Sequence, residues 1–119
     1  ESTHIQSGQK LTTDAPTDNE GKGKAFSPTD LLATSLANCM LTIMGITAQR
    51  KNINIDSTRA TVEKIMGQEP RRVQEIKIDF QFPTNYTDKE KKLLEQAALT
   101  CPVANSLSKD LIQTIKFSY

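Results

Sequence analysis

Residues 27–50, SPTDLLATSLANCMLTIMGITAQR, constrain this chain more than any other stretch. Ser27 is a good N-cap and Pro28 fits the first helical position, where its missing N–H costs nothing. Asp30 in the first turn suits the positive end of the helix dipole. At about 100° per residue, Thr34, Ser35, Asn38, Thr42 and Gly45 form one narrow strip of small, mostly polar groups. Cys39 lies on the apolar arc with Leu32, Leu36, Ile43 and Ile46. A surface helix has a broader polar face, so this helix is expected to be buried on nearly all sides. A chain of 119 residues has little protein with which to surround it. A second copy of the chain could complete the burial, which predicts a homodimer.

The flanking segments read as an α+β domain. Residues 2–6 and 9–13 flank a turn at Ser7-Gly8 and predict a short hairpin. Residues 14–26, DAPTDNEGKGKAF, read as a loop. After the long helix, Ile53 and Ile55 fall on one parity and Ala60 and Val62 on the other, so residues 53–66 predict a strand with a bulge near Ser57. Gly67 to Pro70 is turn chemistry. Over residues 73–82, Ile76, Ile78, Phe80 and Phe82 alternate with Lys77, Asp79 and Gln81, the pattern of a strand with one buried face. Thr87 to Glu90 is a capping box opening a helix to about Thr100. Pro102 restarts a short helix over 102–108, and residues 111–119 alternate as a last strand. The expected architecture is β-β-α-β-β-α-α-β, with an antiparallel sheet on a long buried central helix.

Residues 1–119 are read as one domain. The sequence opens without Met on what reads as a strand, so an upstream segment completing that strand is expected. With 15 Lys and Arg against 14 Asp and Glu, the chain lacks the basic surplus of a sequence-independent nucleic-acid binder. Thr34, Ser35, Asn38, Thr42, Gly45 and Thr47 interrupt the long helix, so no membrane span is expected, and no stretch reads as a signal peptide. Two cysteines without an export signal point to a reducing, cytoplasmic setting, where a thiol pair is reactive, metal-binding or simply buried.

Cys39 has two readings from its residues alone: a small apolar side chain in a packed helix, or a reactive thiol. Cys101 directly precedes Pro102 and is placed like an N-cap, where backbone N–H groups favour a thiolate. Its alternative is a packing residue at a helix break. His4, the only histidine, gives weak support for a Cys–His pair. Two Cys and one His at these separations lack the close ligand pairs of a zinc site, and Gly21-Lys22-Gly23 lacks the spacing of a phosphate loop. No metal or cofactor is therefore expected. Lys22, Lys24, Arg71 and Arg72 read as solvated charges, and Asp14, Asp18 and Glu20 as loop solubility.

SPTDLLATSLANCM, followed after the hairpin and the capped helix by CPVANSL, resembles the OsmC/Ohr family of osmotically inducible and organic hydroperoxide resistance proteins. The resemblance covers nearly the whole chain and is nearest the broad OsmC-like branch. It implies an interlocked homodimer whose central helices pack together, with active sites at the subunit interface. It further implies that Cys39 is the peroxidatic cysteine, attacking a hydroperoxide and becoming a sulfenic acid. Cys101 would be the resolving cysteine, closing a disulfide that a dithiol reductant reopens. No cofactor, nucleic acid or membrane is implied.

This chain departs from the family pattern at two points. Thr29 stands where well-studied members have Glu, and no Arg precedes Arg50. The leading expectation is a thiol-dependent peroxidase for organic hydroperoxides. The alternatives are a dimeric small-ligand-binding or redox-sensing module with little turnover, and a structural dimer with inert thiols.

Overall fold

The computed structural model describes residues 1–119, in two compact units, Glu1–Leu32 and Ala33–Tyr119. The first unit opens on a hairpin whose strands, β1 (Ser2–Thr3) and β2 (Lys10–Leu11), pair antiparallel with Ser2 opposite Leu11. The strands are much shorter than the residues 2–6 and 9–13 expected, because exposed polar side chains give them no face to bury. The turn is locked locally: Gly8 donates to the His4 carbonyl at 2.7 Å, and His4 Nδ1 lies 2.6 Å from Ser7 Oγ.

The loop that follows is tied down by its own backbone. Asp14 Oδ2 accepts from Lys24 N–H, and Asp14 N–H donates to the Phe26 carbonyl. Gly21 passes so close to Ala15 that a Cβ on it would fall 1.6 Å from the Ala15 carbonyl oxygen, so only glycine fits.

Helix α1 runs from Pro28 to Arg50. Its start is more specific than the sequence reading: Ser27 Oγ accepts from Asp30 N–H at 3.0 Å while Asp30 Oδ2 accepts from Ser27 N–H at 2.9 Å. Asp30 thus closes a reciprocal cap, with Asp taking the role that Glu or Gln usually fills.

In the second unit, Ala33, Leu36, Ala37, Met40, Met44 and Ala48 are buried. Their spacing of three or four marks one helical face. Ser35, Asn38, Thr42, Ile46 and Gln49 are exposed, Ile46 at 42%. The helix is therefore covered on one face within a single chain, not on nearly all sides, because a three-stranded sheet presents only one apolar surface. By length and composition α1 is also apolar enough to cross a membrane, with a mean hydropathy of 1.6 over its best window. That corrects the expectation that its polar residues would hold it short of this threshold. Its buried face joins the core of the sheet, as the central helix of a globular domain does.

Strands β3 (Arg59–Gly67), β4 (Arg72–Gln81) and β5 (Ile112–Ser118) form that sheet in the order β3-β4-β5. Residues 53–58 are not strand. Asn52 at φ 57° and Ser57 at φ 70° turn the backbone left-handed, and Asn54 Oδ1 accepts from Asp56 N–H in an Asx turn. The two parities noted in the sequence belong to a loop and a strand. The register shift lies further on, at Ile65/Met66, where Ile65 faces Glu75 but Met66 faces Val73. The extra residue, Gln74, lets Val73 and Ile76 both point into the core.

β3 and β4 are antiparallel, as expected, whereas β5 lies parallel to β4 with Phe80 opposite Phe117, so the sheet is mixed. A parallel partner requires a long return connection. Here that connection carries two helices, α2 (Asp88–Leu99) and α3 (Pro102–Ser106). The expected Thr87–Glu90 capping box is present at the start of α2. Ile76, Ile78, Phe80, Leu94, Ala98 and Cys101 meet the buried face of α1 in one core.

Candidate active site

The end of α2 determines where Cys101 sits. A residue before proline is pushed out of the helical region, and Cys101 is extended at φ −68° and ψ 142°. The helix therefore stops at Leu99, and Pro102 takes the first position of α3. Cys101 is the N-cap of α3, as its sequence position predicts. Its Sγ accepts from Ala104 N–H at 3.3 Å, and its carbonyl accepts from Asn105 N–H at 3.2 Å.

Cys39 lies on the flank of α1, between the buried Met40 and the exposed Asn38, and is half-buried. The two cysteines are about sixty residues apart in sequence, yet Cys39 is among the groups that push the Cys101 thiol up. Both are free. The sequence alone leaves that relationship open; in the fold Cys101 is buried in the core that α1 joins, and Cys39 packs against that core.

Burial pushes the Cys101 thiol up, opposite to the thiolate expected from its N-cap position. The Ala104 and Val103 N–H groups pull the other way, and neighbouring Cys39 adds to the rise. Cys101 is 0% exposed, so loss of water outweighs the help of two backbone N–H groups. It rests as a neutral thiol.

Thr29 places a hydroxyl 3.2 Å from Ser27 Oγ in the first unit. His4 engages Ser7 of its own turn. Arg72 Nη1 donates to the carbonyls of Gln68 and Pro70, so it braces the β3–β4 turn and is more than a solvated charge.

One neighbour of the pair escaped the sequence reading. Gln113 Nε2 donates to the Ala104 carbonyl at 3.1 Å, linking β5 to α3. The signal is a polar residue on the inward parity of a strand whose other inward residues are Ile115 and Phe117.

The OsmC-like protein family model matches residues 21–116, a span that holds both cysteines. The chain belongs to the OsmC-like family. A structure from Psychrobacter arcticus 273-4, provisionally described as an osmotic-stress-induced and detoxification-response protein, is similar to this OsmC-like chain. It is 52% identical with a TM-score of 0.93, over 97% of this chain and 84% of that one. An organic hydroperoxide resistance protein OsmC from Legionella pneumophila is 19% identical, with a TM-score of 0.74 over 93% of this chain and 82% of that one. A Vibrio cholerae protein provisionally described as conferring organic hydroperoxide resistance, with captopril in one of its active sites, is 17% identical. Its TM-score is 0.76 over 97% of this chain and 81% of that one. At those identities the last two share the OsmC-like fold. No curated protein gives a significant match.

Proposed function

We propose that this OsmC-like protein is a thiol-dependent peroxidase that reduces organic hydroperoxides through Cys39 and Cys101. The observation that supports the reading is the pairing of a half-buried Cys39 with a fully buried Cys101 whose thiol it influences. The more accessible sulfur can meet a substrate, and the hidden one can meet only its neighbour.

In the first step the Cys39 thiolate attacks the distal peroxide oxygen. An S–O bond forms, the O–O bond breaks, and the alcohol leaves after taking up a proton. In the second step the Cys101 sulfur attacks the sulfenic sulfur. An S–S bond forms, the S–O bond breaks, and the hydroxyl departs as water with the Cys101 proton. An external dithiol then reduces the disulfide by exchange and is itself oxidised to a disulfide. Closing the disulfide in the second step requires the two Cα atoms to lie within, or move to within, about 7 Å. Partly buried apolar side chains packed on the same core as Cys39, among them Leu41, Ile43, Val103 and Leu107, suit an alkyl or aryl hydroperoxide.

The active form we propose is a homodimer joined along the exposed side of α1, where Ile46 lies among small and polar side chains. Two free thiols suit a reducing compartment such as the cytoplasm. Thr29 carries no carboxylate, which favours, as a second reading, a redox sensor that forms the same disulfide with little turnover.

Treatment with stoichiometric cumene hydroperoxide, followed by peptide mass spectrometry, tests the proposal. The expected product is a Cys39–Cys101 disulfide in wild type and a Cys39 sulfenic acid in Cys101→Ser. An intact fold with neither product would overturn it. Steady-state consumption with a dithiol reductant separates the enzyme from the sensor.

A further inference from the structure

We infer that Gln113 is a positioning residue for Cys101, holding α3 so that the Cys101 sulfur keeps its place at the start of that helix. The inference rests on the two-thiol reading above for its kinetic consequence, but on geometry for its structural one.

Helix α3 has five residues, too few to hold a helical conformation unaided. Its placement must come from tertiary contacts. Ala104, in its first turn, is engaged at both of its backbone polar groups. The N–H donates to Cys101 Sγ at 3.3 Å, and the carbonyl accepts from Gln113 Nε2 at 3.1 Å. Gln113 itself is fixed by the sheet, since β5 lies in parallel register with β4 and Gln113 faces Ile76. A chain of contacts thus runs from β4 through Gln113 to Ala104 and on to the Cys101 sulfur.

The choice of residue supports this. Gln113 is partly buried on the inward side of β5, the side that carries Ile115 and Phe117. A leucine there would bury more apolar surface and leave no amide to desolvate. The amide gains its place by supplying a donor that a hydrophobe cannot. A hydrogen bond to a five-residue helix adds little to global stability, yet it restricts where that helix sits.

Gln113 touches neither sulfur, so its effect should fall on the step that uses Cys101. In Gln113→Leu the Ala104 carbonyl loses its donor and α3 gains freedom to slide. Attack of Cys101 on the Cys39 sulfenic acid should then slow by about tenfold, the kinetic equivalent of one lost hydrogen bond. The first step, loss of hydroperoxide in a single turnover, should slow far less. A longer-lived sulfenic acid should also yield more Cys39 sulfinic acid under excess peroxide.

Two measurements test this. Rapid acid quench and mass spectrometry of Gln113→Leu and Gln113→Met should show delayed disulfide formation. Equal slowing of both steps, or of neither, overturns the inference. The second measurement needs no peroxide: ultraviolet titration of the Cys101 thiol in a Cys39→Ser background, with and without Gln113→Leu. Release of α3 should draw the Ala104 N–H away from the sulfur and raise the Cys101 pKa further. An unchanged titration overturns the inference even if hydroperoxides prove not to be the substrate. If titration and single-turnover disagree because wild type consumes no hydroperoxide, the peroxidase reading fails and the positioning role stands.

Discussion

Ser118 donates its hydroxyl to Asp79 Oδ1 at 2.8 Å across the parallel β4–β5 pair. That bond is the largest of the influences holding the Asp79 carboxyl below its usual range, ahead of Gln81 and, more weakly, the Lys116 charge. A carboxylate whose folded pKa is depressed stabilises the fold above its unfolded pKa of about 3.9, and the benefit is lost as pH falls through the folded value. Ser118→Ala should therefore raise the Asp79 pKa, followed by carboxyl-carbon NMR. It should also remove part of the stability lost on acidification below about pH 4. An Asp79 titration that does not move would contradict this.

The two thiols should differ in reactivity. Cys101 is fully buried with a raised pKa, whereas Cys39 is half-buried. Iodoacetamide at neutral pH should label Cys39 well before Cys101, read by peptide mapping over time. For Cys101 the sign is the reverse of the aspartate case. Its neutral form is favoured in the fold, so its contribution is intact below an unfolded pKa of about 8.5 and is lost as pH rises through the folded value. Labelling of Cys101 before Cys39 would refute the assignment of roles.

Replacing Ile46 with Glu places a charge on the exposed side of α1, where we propose that two chains meet. Sedimentation at fixed concentration should show a shift from dimer to monomer, with far-UV circular dichroism retained. Because Ile46 is 42% exposed within one chain, the substitution should cost a single chain little. An undiminished dimer would locate the interface elsewhere.

Thr87→Ala removes the acceptor for Glu90 N–H, one half of the capping box of α2. Urea unfolding should show a loss of about 1 kcal/mol. Restoration by Thr87→Ser would tie the loss to the cap, and failure of that rescue would point to some other packing role.

Much of this was legible in the sequence because it is written in local chemistry. Ser27, Pro28 and Asp30 announce the start of α1, Thr87 and Glu90 that of α2, and the alternation through Phe80 marks β4. Cys101 before Pro102 is a local arrangement too, and its N-cap role followed. Most of what was missed is non-local. The alternation of β5 is the same whether its neighbour runs with it or against it, so its parallel pairing is invisible in residues 112–118. The Asx turn at Asn54 and the left-handed Ser57 were hidden by the β-branched residues around them. The N-cap argument for a Cys101 thiolate weighed two N–H groups correctly but lacked the burial that outweighs them. Gln113 was passed over because its partner, Ala104, is reached only after the chain folds back.

The placement of the two cysteines has a thermodynamic side. A bond between Cys39 and Cys101 would close a covalent ring of about sixty residues around β3, β4 and α2, with the hairpin and β5 outside it. A ring of that size removes enough freedom from the unfolded chain to stabilise the fold by about 4 kcal/mol in the loop-entropy account. Oxidation would then harden the protein, and its melting temperature would record how many molecules are waiting for electrons. The dithiol that resets the cycle has to work against that hardening, because each turnover returns the chain to its softer form.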